Sequence, residues 1–353
     1  MAKPQIIEVE GKHLSLTNLE KVLYPAAGFT KGQVIDYYAR IAPVLTPHLA
    51  GRPLTLKRYP EGVDQEYFFE KNATKHRPDW VRTTPVWSEG NQRDVNYILA
   101  NDLATLIWIA NLASIELHPS LSLAKDIMRP TMMVFDLDPG PPANIVQCCQ
   151  VAMWLREIFE HFDLQSFPKT SGSKGLQIYV PLNMPITYDV TKPFAHALAR
   201  LLENDHKDLV VSDMKKQLRV GKVFVDWSQN DEHKTTVSIY SLRARERPTV
   251  STPVKWDEVE QALKKNDSAM LVFEADRVLD RVKKLGDLFA PVLTLKQKLP
   301  KLPGIQQAEP ETLEEGIAAQ ADSEPAQKRT RPARAPKSPS KPVPKKKKRA
   351  RKV

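Results

Sequence analysis

The stretch TMMVFDLDPG, Thr131 to Gly140, constrains the fold of this 353-residue chain more than any other. An apolar run closed by Pro-Gly reads as a buried strand ending in a turn. Side chains alternate along a strand, so Asp136 and Asp138 project from one face with Cβ atoms about 6–7 Å apart. Two carboxylates so placed repel each other, and something positive is expected between them. Taken alone, the motif is better explained by a strand that ends in an Asp-Pro-Gly turn.

A second strand, GKVFVDWSQN, repeats the form: Val223, Val225 and Trp227 share one face, Phe224 and Asp226 the other. If the two strands are neighbours in one sheet, Asp136, Asp138 and Asp226 gather at one end of it. Oxygen-only donors suit Mg²⁺ or Mn²⁺, and no His/Cys grouping with zinc spacing competes. Two such ions roughly 4 Å apart would activate an attacking hydroxyl and stabilise the leaving oxygen of an in-line phosphoryl displacement. With Asp226 included, the metal reading outweighs the turn.

Between these strands lies FPKTSGSKGLQIYVPL, a strand, a small-residue turn and a strand. The Walker A spacing is absent. Ser171, Gly172 and Gly175 nonetheless permit close backbone approach, and Ser171 and Lys174 offer a hydroxyl and a cation suited to a triphosphate. An ordinary Gly/Ser hairpin turn accounts for the same residues. Arg219 and, in IYSLRARERP, Arg243 and Arg245 two apart on one strand face add cations for phosphate oxygens, or surface charge.

Helical spacing marks TKGQVIDYYARIAPVLTPHL, DLATLIWIANLASIEL, NIVQCCQVAMWLREIFEHF, DVTKPFAHALARLLEND and LVFEADRVLDRVKKLGDLF. Strands are expected in RPLTLKRYP, TMMVFDLD, LQSFPKT, LQIYVPL, KVFVDWS and TTVSIYS. Their irregular alternation predicts an α+β fold with a central, largely antiparallel sheet flanked by helices, plus an N-terminal α/β module. The folded domain is expected over 1–305, its palm over roughly 130–250.

The net charge of +10 is concentrated near the C-terminus: 13 Lys/Arg and no acid from Lys328 to Val353, after 6 Asp/Glu and no base from Gln306 to Gln327. Residues 306–353 are Pro-rich and free of aromatics, and are expected to be disordered, with the basic part in sequence-independent phosphate contact. No apolar stretch has the length of a membrane span, and the adjacent Cys148 and Cys149 fit reduced core thiols, so a soluble cytoplasmic protein is expected.

In order, LTNLEKVLYP, GVDQEYFFEK, VFDLDPG, KTSGSKGLQIYVPL and GKVFVDWSQN…KTT…YSLRAR resemble the polymerase domain of bacterial DNA ligase D, of the archaeo-eukaryotic primase superfamily. The likeness covers roughly 12–300, with no ligase or nuclease module, which suggests a stand-alone polymerase domain. It implies a primase-like palm in which Asp136, Asp138 and Asp226 hold two metal ions, preferably Mn²⁺. His118, by itself a hydrogen-bonded histidine before a proline, becomes a nucleotide contact with Ser171, Lys174, Arg219, Arg243 and Arg245. Asn18, Lys21 and Lys31 become a pocket for a DNA 5′-phosphate. Phe68 and Phe69, otherwise core residues of a strand, become a platform for template bases. One departure stands out: the family commonly has histidine where this chain has Gln177, a group with a donor and an acceptor but no titratable charge.

The resemblance implies a nucleotidyltransferase that extends DNA at gaps or double-strand breaks during non-homologous end joining, using NTPs in preference to dNTPs. Ku and a separately encoded DNA ligase are implied partners, and the nucleoid the implied setting. Alternatives are a DNA-end bridging protein with reduced polymerase activity and a dedicated RNA primase.

Overall fold

The computed structural model describes residues 4–301, and the acidic-then-basic segment 306–353 lies outside the described residues. In chain order come strands β1 (Gln5–Val9), β2 (Lys12–Leu16), β3 (Val22–Tyr24) and β4 (Phe29–Thr30), then helix α1 (Lys31–Leu49). Strands β5 (Leu54–Arg58), β6 (Phe68–Glu70), β7 (Thr83–Ser88) and β8 (Arg93–Ile98) precede helix α2 (Leu103–Asn111). Strands β9 (Ser114–Pro119), β10 (Ser122–Leu123), β11 (Asp126–Pro130) and β12 (Met132–Pro139) lead to helix α3 (Ile145–His161). There follow β13 (Phe167–Thr170), β14 (Leu176–Pro181), α4 (Tyr188–Asp205), β15 (Val210–Val211), β16 (Val223–Asp226), α5 (Trp256–Lys265) and α6 (Ala275–Leu285).

The acidic strands are neighbours in a sheet of order β13-β14-β12-β16-β15, antiparallel except for the β15–β16 pair. The odd-numbered apolar residues of β12 bind it to α3: the rings of Phe135 and Phe159 are 5.4 Å apart, and Cys148 Sγ donates to Leu137 O at 3.4 Å. Burying Phe135 and Leu137 is worth roughly 1.5–3 kcal/mol each. A one-residue slip of register would exchange these for Asp136 and Asp138, so the core fixes which face the carboxylates occupy.

The second sheet joins β5 to β9 along one edge and to β6 and β8 along the other, with β7 beyond β8. The α+β expectation holds, with corrections of detail. The helix expected through DLATLIWIANLASIEL stops at Asn111; Ser114–Pro119 is a buried strand, because a short apolar run has no period to distinguish the two states. TTVSIYS forms no strand: Thr236 N and Ser238 N donate to Pro119 O and Leu117 O beside β9, but Tyr240, at φ +57°, turns the chain away. Arg243 and Arg245 likewise sit in a loop, where Leu242 makes a single bridge to Val250.

Candidate active site

The register of β12 against β16 sets Asp136 directly opposite Asp226. Directly opposed residues share a face with Cβ atoms about 4.5–5.5 Å apart, and Asp138, two residues along, shares it too. Continuing across the sheet, Asp136 pairs with Gln177 of β14 and Gln177 with Lys169 of β13. A single row thus reads Lys169, Gln177, Asp136, Asp226.

Burial, then the neighbouring Asp138, pushes the Asp136 carboxyl up to about 7, and its buried Oδ1 has no hydrogen-bond partner. Burial and Asp226 raise Asp138 at the more open rim, while Arg219 and Arg243 pull it down. An orphaned carboxylate oxygen amid mutual repulsion is the electrostatic setting a divalent cation relieves. Asp226 accepts hydrogen bonds from Ser228 N at 2.9 Å and Gln229 Nε2 at 2.8 Å. Among the described residues, no three His, Cys, Asp or Glu side chains converge into a ready-made ion cage.

Beside the carboxylates opens a cavity of about 330 Å³ lined by His118, Asp136, Asp138, Ser171, Gln177, Arg243 and Arg245, among others. Arg243 donates to Ser171 O and Arg245 to Ser173 Oγ, so the loop that failed to be a strand still aims both cations inward. Ser171 Oγ accepts from Ser173 N and Gly175 N, building the turn. The close approach allowed by Gly175 is to the protein itself: a Cβ there would lie 2.0 Å from Leu137 O. Gln177 donates to Thr236 Oγ1 at 3.1 Å and accepts from Tyr179 at 3.5 Å. Lys174 lines a separate cavity on the far side of the turn. Arg219 stacks 3.6 Å over Phe224, the residue opposite Asp138, and so flanks the carboxylates without lining the cavity.

Phe68 and Phe69 are 46% and 56% exposed, which removes a core role. As adjacent strand residues they face opposite ways. Phe69 lies by Lys57, with its ring 6.3 Å from that of His118; Phe68 lies under Arg58. Asn18, Lys21 and Lys31 do come together: Lys21 N donates to Asn18 O, and Lys31 N to Lys21 O. Lys31 is buried, with Nζ 2.7 Å from Thr17 O, and burial with Lys21 and Arg58 nearby lowers its pKa to about 8. Lys21 pairs with Glu61 at 2.6 Å.

Sequence reasoning passed over Lys169 and Glu116. Lys169 is wholly buried, its Nζ 2.6 Å from Ser251 Oγ. Glu116 was hidden in the supposed helix; its signal was the two-residue spacing from His118 in IELH.

The family model described as the LigD primase-polymerase domain matches residues 30–289. The chain belongs to that family. LigD primase-polymerase domains are metal-dependent nucleotidyltransferases, so the enzyme class expected from the motifs is borne out, as is the fold. The multifunctional non-homologous end joining protein LigD of Mycolicibacterium smegmatis is 43% identical over 283 residues, 80% of this chain and 36% of that protein. The bifunctional LigD of Bacillus subtilis is 33% identical over 274 residues, 77% of this chain and 43% of that protein. This LigD-family chain therefore spans well under half the length of these relatives. The polymerase domain of Mycobacterium tuberculosis ligase D, solved in complex with DNA, matches with a TM-score of 0.73 and 40% identity, covering 80% of this chain and 99% of that one. Among the described residues, no helix is long and apolar enough to cross a membrane.

Proposed function

We propose that this chain is a template-directed polymerase that adds nucleotides, NTPs in preference to dNTPs, at gaps and double-strand breaks in DNA, within non-homologous end joining. The observation that carries the proposal is the pairing of Asp136 with Asp226 beside a cavity lined by His118, Arg243 and Arg245. The names of the LigD relatives and the DNA complex of the M. tuberculosis domain support it.

Asp136, Asp138 and Asp226 would hold two divalent ions, Mn²⁺ or Mg²⁺, and the partnerless Oδ1 of Asp136 fits that task. Bound there, such ions supply activation of the primer hydroxyl and charge neutralisation at the leaving oxygen. Arg243 and Arg245 neutralise the triphosphate, with His118 and Ser171 orienting it. Arg219 compensates the carboxylates from the rim, and Lys174 reaches the phosphates from the other side of the turn. Gln177 holds its place in the row by hydrogen bonds alone. Phe69 stacks on the template base next to the nucleotide, Phe68 on the opposite side. Asn18, Lys21 and Lys31 receive the downstream 5′-phosphate; Glu61 occupies Lys21 until the phosphate arrives. Ku and a DNA ligase complete the repair, in the cytoplasm at the nucleoid.

Purified protein with Mn²⁺ and NTPs is expected to extend the primer of a gapped duplex. Asp136→Ala should abolish extension while leaving DNA binding intact. Failure of the wild type to extend any primer, with DNA binding retained, would replace the polymerase with an end-bridging protein. Efficient synthesis on unprimed single strands, indifferent to a 5′-phosphate, would indicate a dedicated primase.

A further inference from the structure

Glu116 lies in the middle of β9, 3% exposed. A buried carboxylate is costly unless partnered, and this one has four partners. Oε2 lies 3.0 Å from His118 Nε2, while Oε1 accepts from Ala244 N at 3.1 Å and lies 3.4 Å from Arg243 Nε and 3.9 Å from Lys57 Nζ. Burial opposes its ionisation, but the hydrogen bond with His118 and the charges of Arg243, His118 and Lys57 hold its pKa well below the usual carboxylate range.

Each partner belongs to a working surface. His118 and Arg243 line the nucleotide cavity, and Ala244 is the link between Arg243 and Arg245, which both line it. Lys57 Nζ sits 4.0 Å from the Tyr67 ring and 5.6 Å from that of Phe69, on the exposed aromatic surface. A carboxylate serving the core alone needs one cation; this one collects groups from three segments of the chain.

We infer that Glu116 is a positioning residue for the nucleotide, orienting His118 and Arg243 toward the cavity and tying them to the aromatic platform through Lys57. The inference rests on the cavity being the nucleotide site. With Nε2 of His118 engaged by Glu116, Nδ1 is the nitrogen left for a ligand, which fixes how the imidazole is presented. Arg243 is held at Nη1 by Ser171 O, while its buried Nε, without a hydrogen-bond acceptor, is drawn to Glu116 by charge. Removing the Glu116 charge takes away the hold on Nε and leaves the guanidinium to pivot about its bond to Ser171 O.

The test is a cycle of Glu116→Gln, His118→Ala and the double variant, read by titrating the protein with Mn²⁺-NTP and by KM and kcat on a gapped duplex. Glu116→Gln is expected to raise the nucleotide Kd and KM about tenfold or more, the scale of a charge-assisted hydrogen bond, with kcat at saturation changed much less. In the His118→Ala background the same substitution should cost several-fold less, since one of its two targets is gone. Equal penalties in both backgrounds, or a fall in kcat at unchanged KM, would overturn the inference. If Glu116→Gln does not fold, Glu116→Asp keeps the charge and draws it back by one methylene. Weaker nucleotide binding at an unchanged thermal midpoint then supports the role, and unchanged affinity overturns it. A wild type that binds DNA but shows no saturable nucleotide binding would remove the cavity assignment itself, and this inference with it.

Discussion

Lys31 offers the sharpest test of the proposed 5′-phosphate pocket. Its ammonium is buried beside Lys21 and Arg58, and its pKa falls to about 8. The charge is present below that value and lost above it, so phosphate recognition should weaken as pH rises. A 5′-phosphate has its second pKa near 6 and stays close to doubly charged over the same range. Near pH 7 about nine Lys31 side chains in ten are charged, and near pH 9 about one in ten. Phosphate binding raises the pKa of the complex, so each pH unit between the free and bound values costs about tenfold in affinity, or ~1.4 kcal/mol. The assay is fluorescence anisotropy with gapped duplexes that carry or lack the 5′-phosphate, from pH 6.5 to 9.5 at fixed ionic strength, all about the ordinary working range of this chemistry. The ratio of the two affinities should be level at the acid end and drop about tenfold between pH 7 and 9. Lys31→Arg, always charged, should keep the ratio level throughout. A wild-type ratio that does not change, or an arginine variant that falls as steeply, would refute the placement of the phosphate at Lys31.

Three further outcomes follow from the geometry. Because burial and Asp138 raise the Asp136 pKa to about 7, the folded state favours the protonated acid, and ionising it costs stability as pH rises from about 4 toward 7. In metal-free buffer the thermal midpoint of the wild type should fall relative to Asp136→Asn across that interval, and parallel curves would refute it. Gly175→Ala places a Cβ 2.0 Å from Leu137 O, so chemical denaturation should show a loss of about 1–3 kcal/mol or more, with extension impaired because the displaced strand carries both aspartates. Phe69→Ala should weaken template-strand binding by about 1–3 kcal/mol without changing nucleotide affinity in the absence of DNA; equal loss in both measurements would place Phe69 elsewhere.

The part of the site written in short-range pattern was legible. Asp136 and Asp138 share a face because strands have a two-residue period, and Asp226 follows the same rule on its own strand. That Asp136 stands directly opposite Asp226 depends on which strands pair and in what register, a tertiary fact no local pattern encodes, whereas the contact of Phe135 and Leu137 with α3 fixes only the face. Glu116 was obscured because Ile115, Leu117 and their neighbours extend the apolar run of α2 without a break. Arg243 and Arg245 were given a strand because Val237, Ile239 and Tyr240 favour extended backbone, yet the turn at Tyr240 delivers both cations to the cavity from a loop. For Phe68 and Phe69 it is the bland core alternative that fails, because composition does not reveal an edge strand, and β6 is one.

Strand β5 bears on the size of gap that the proposed polymerase would accept. Lys57 reaches Glu116, the partner of His118 and Arg243, and Arg58 acts on Lys31, although they are consecutive residues of one strand hydrogen-bonded on both edges. On the proposed assignments, this one strand bridges the incoming nucleotide and the downstream terminus and acts as a gauge between them, so a longer gap is expected to be met by looping out template nucleotides.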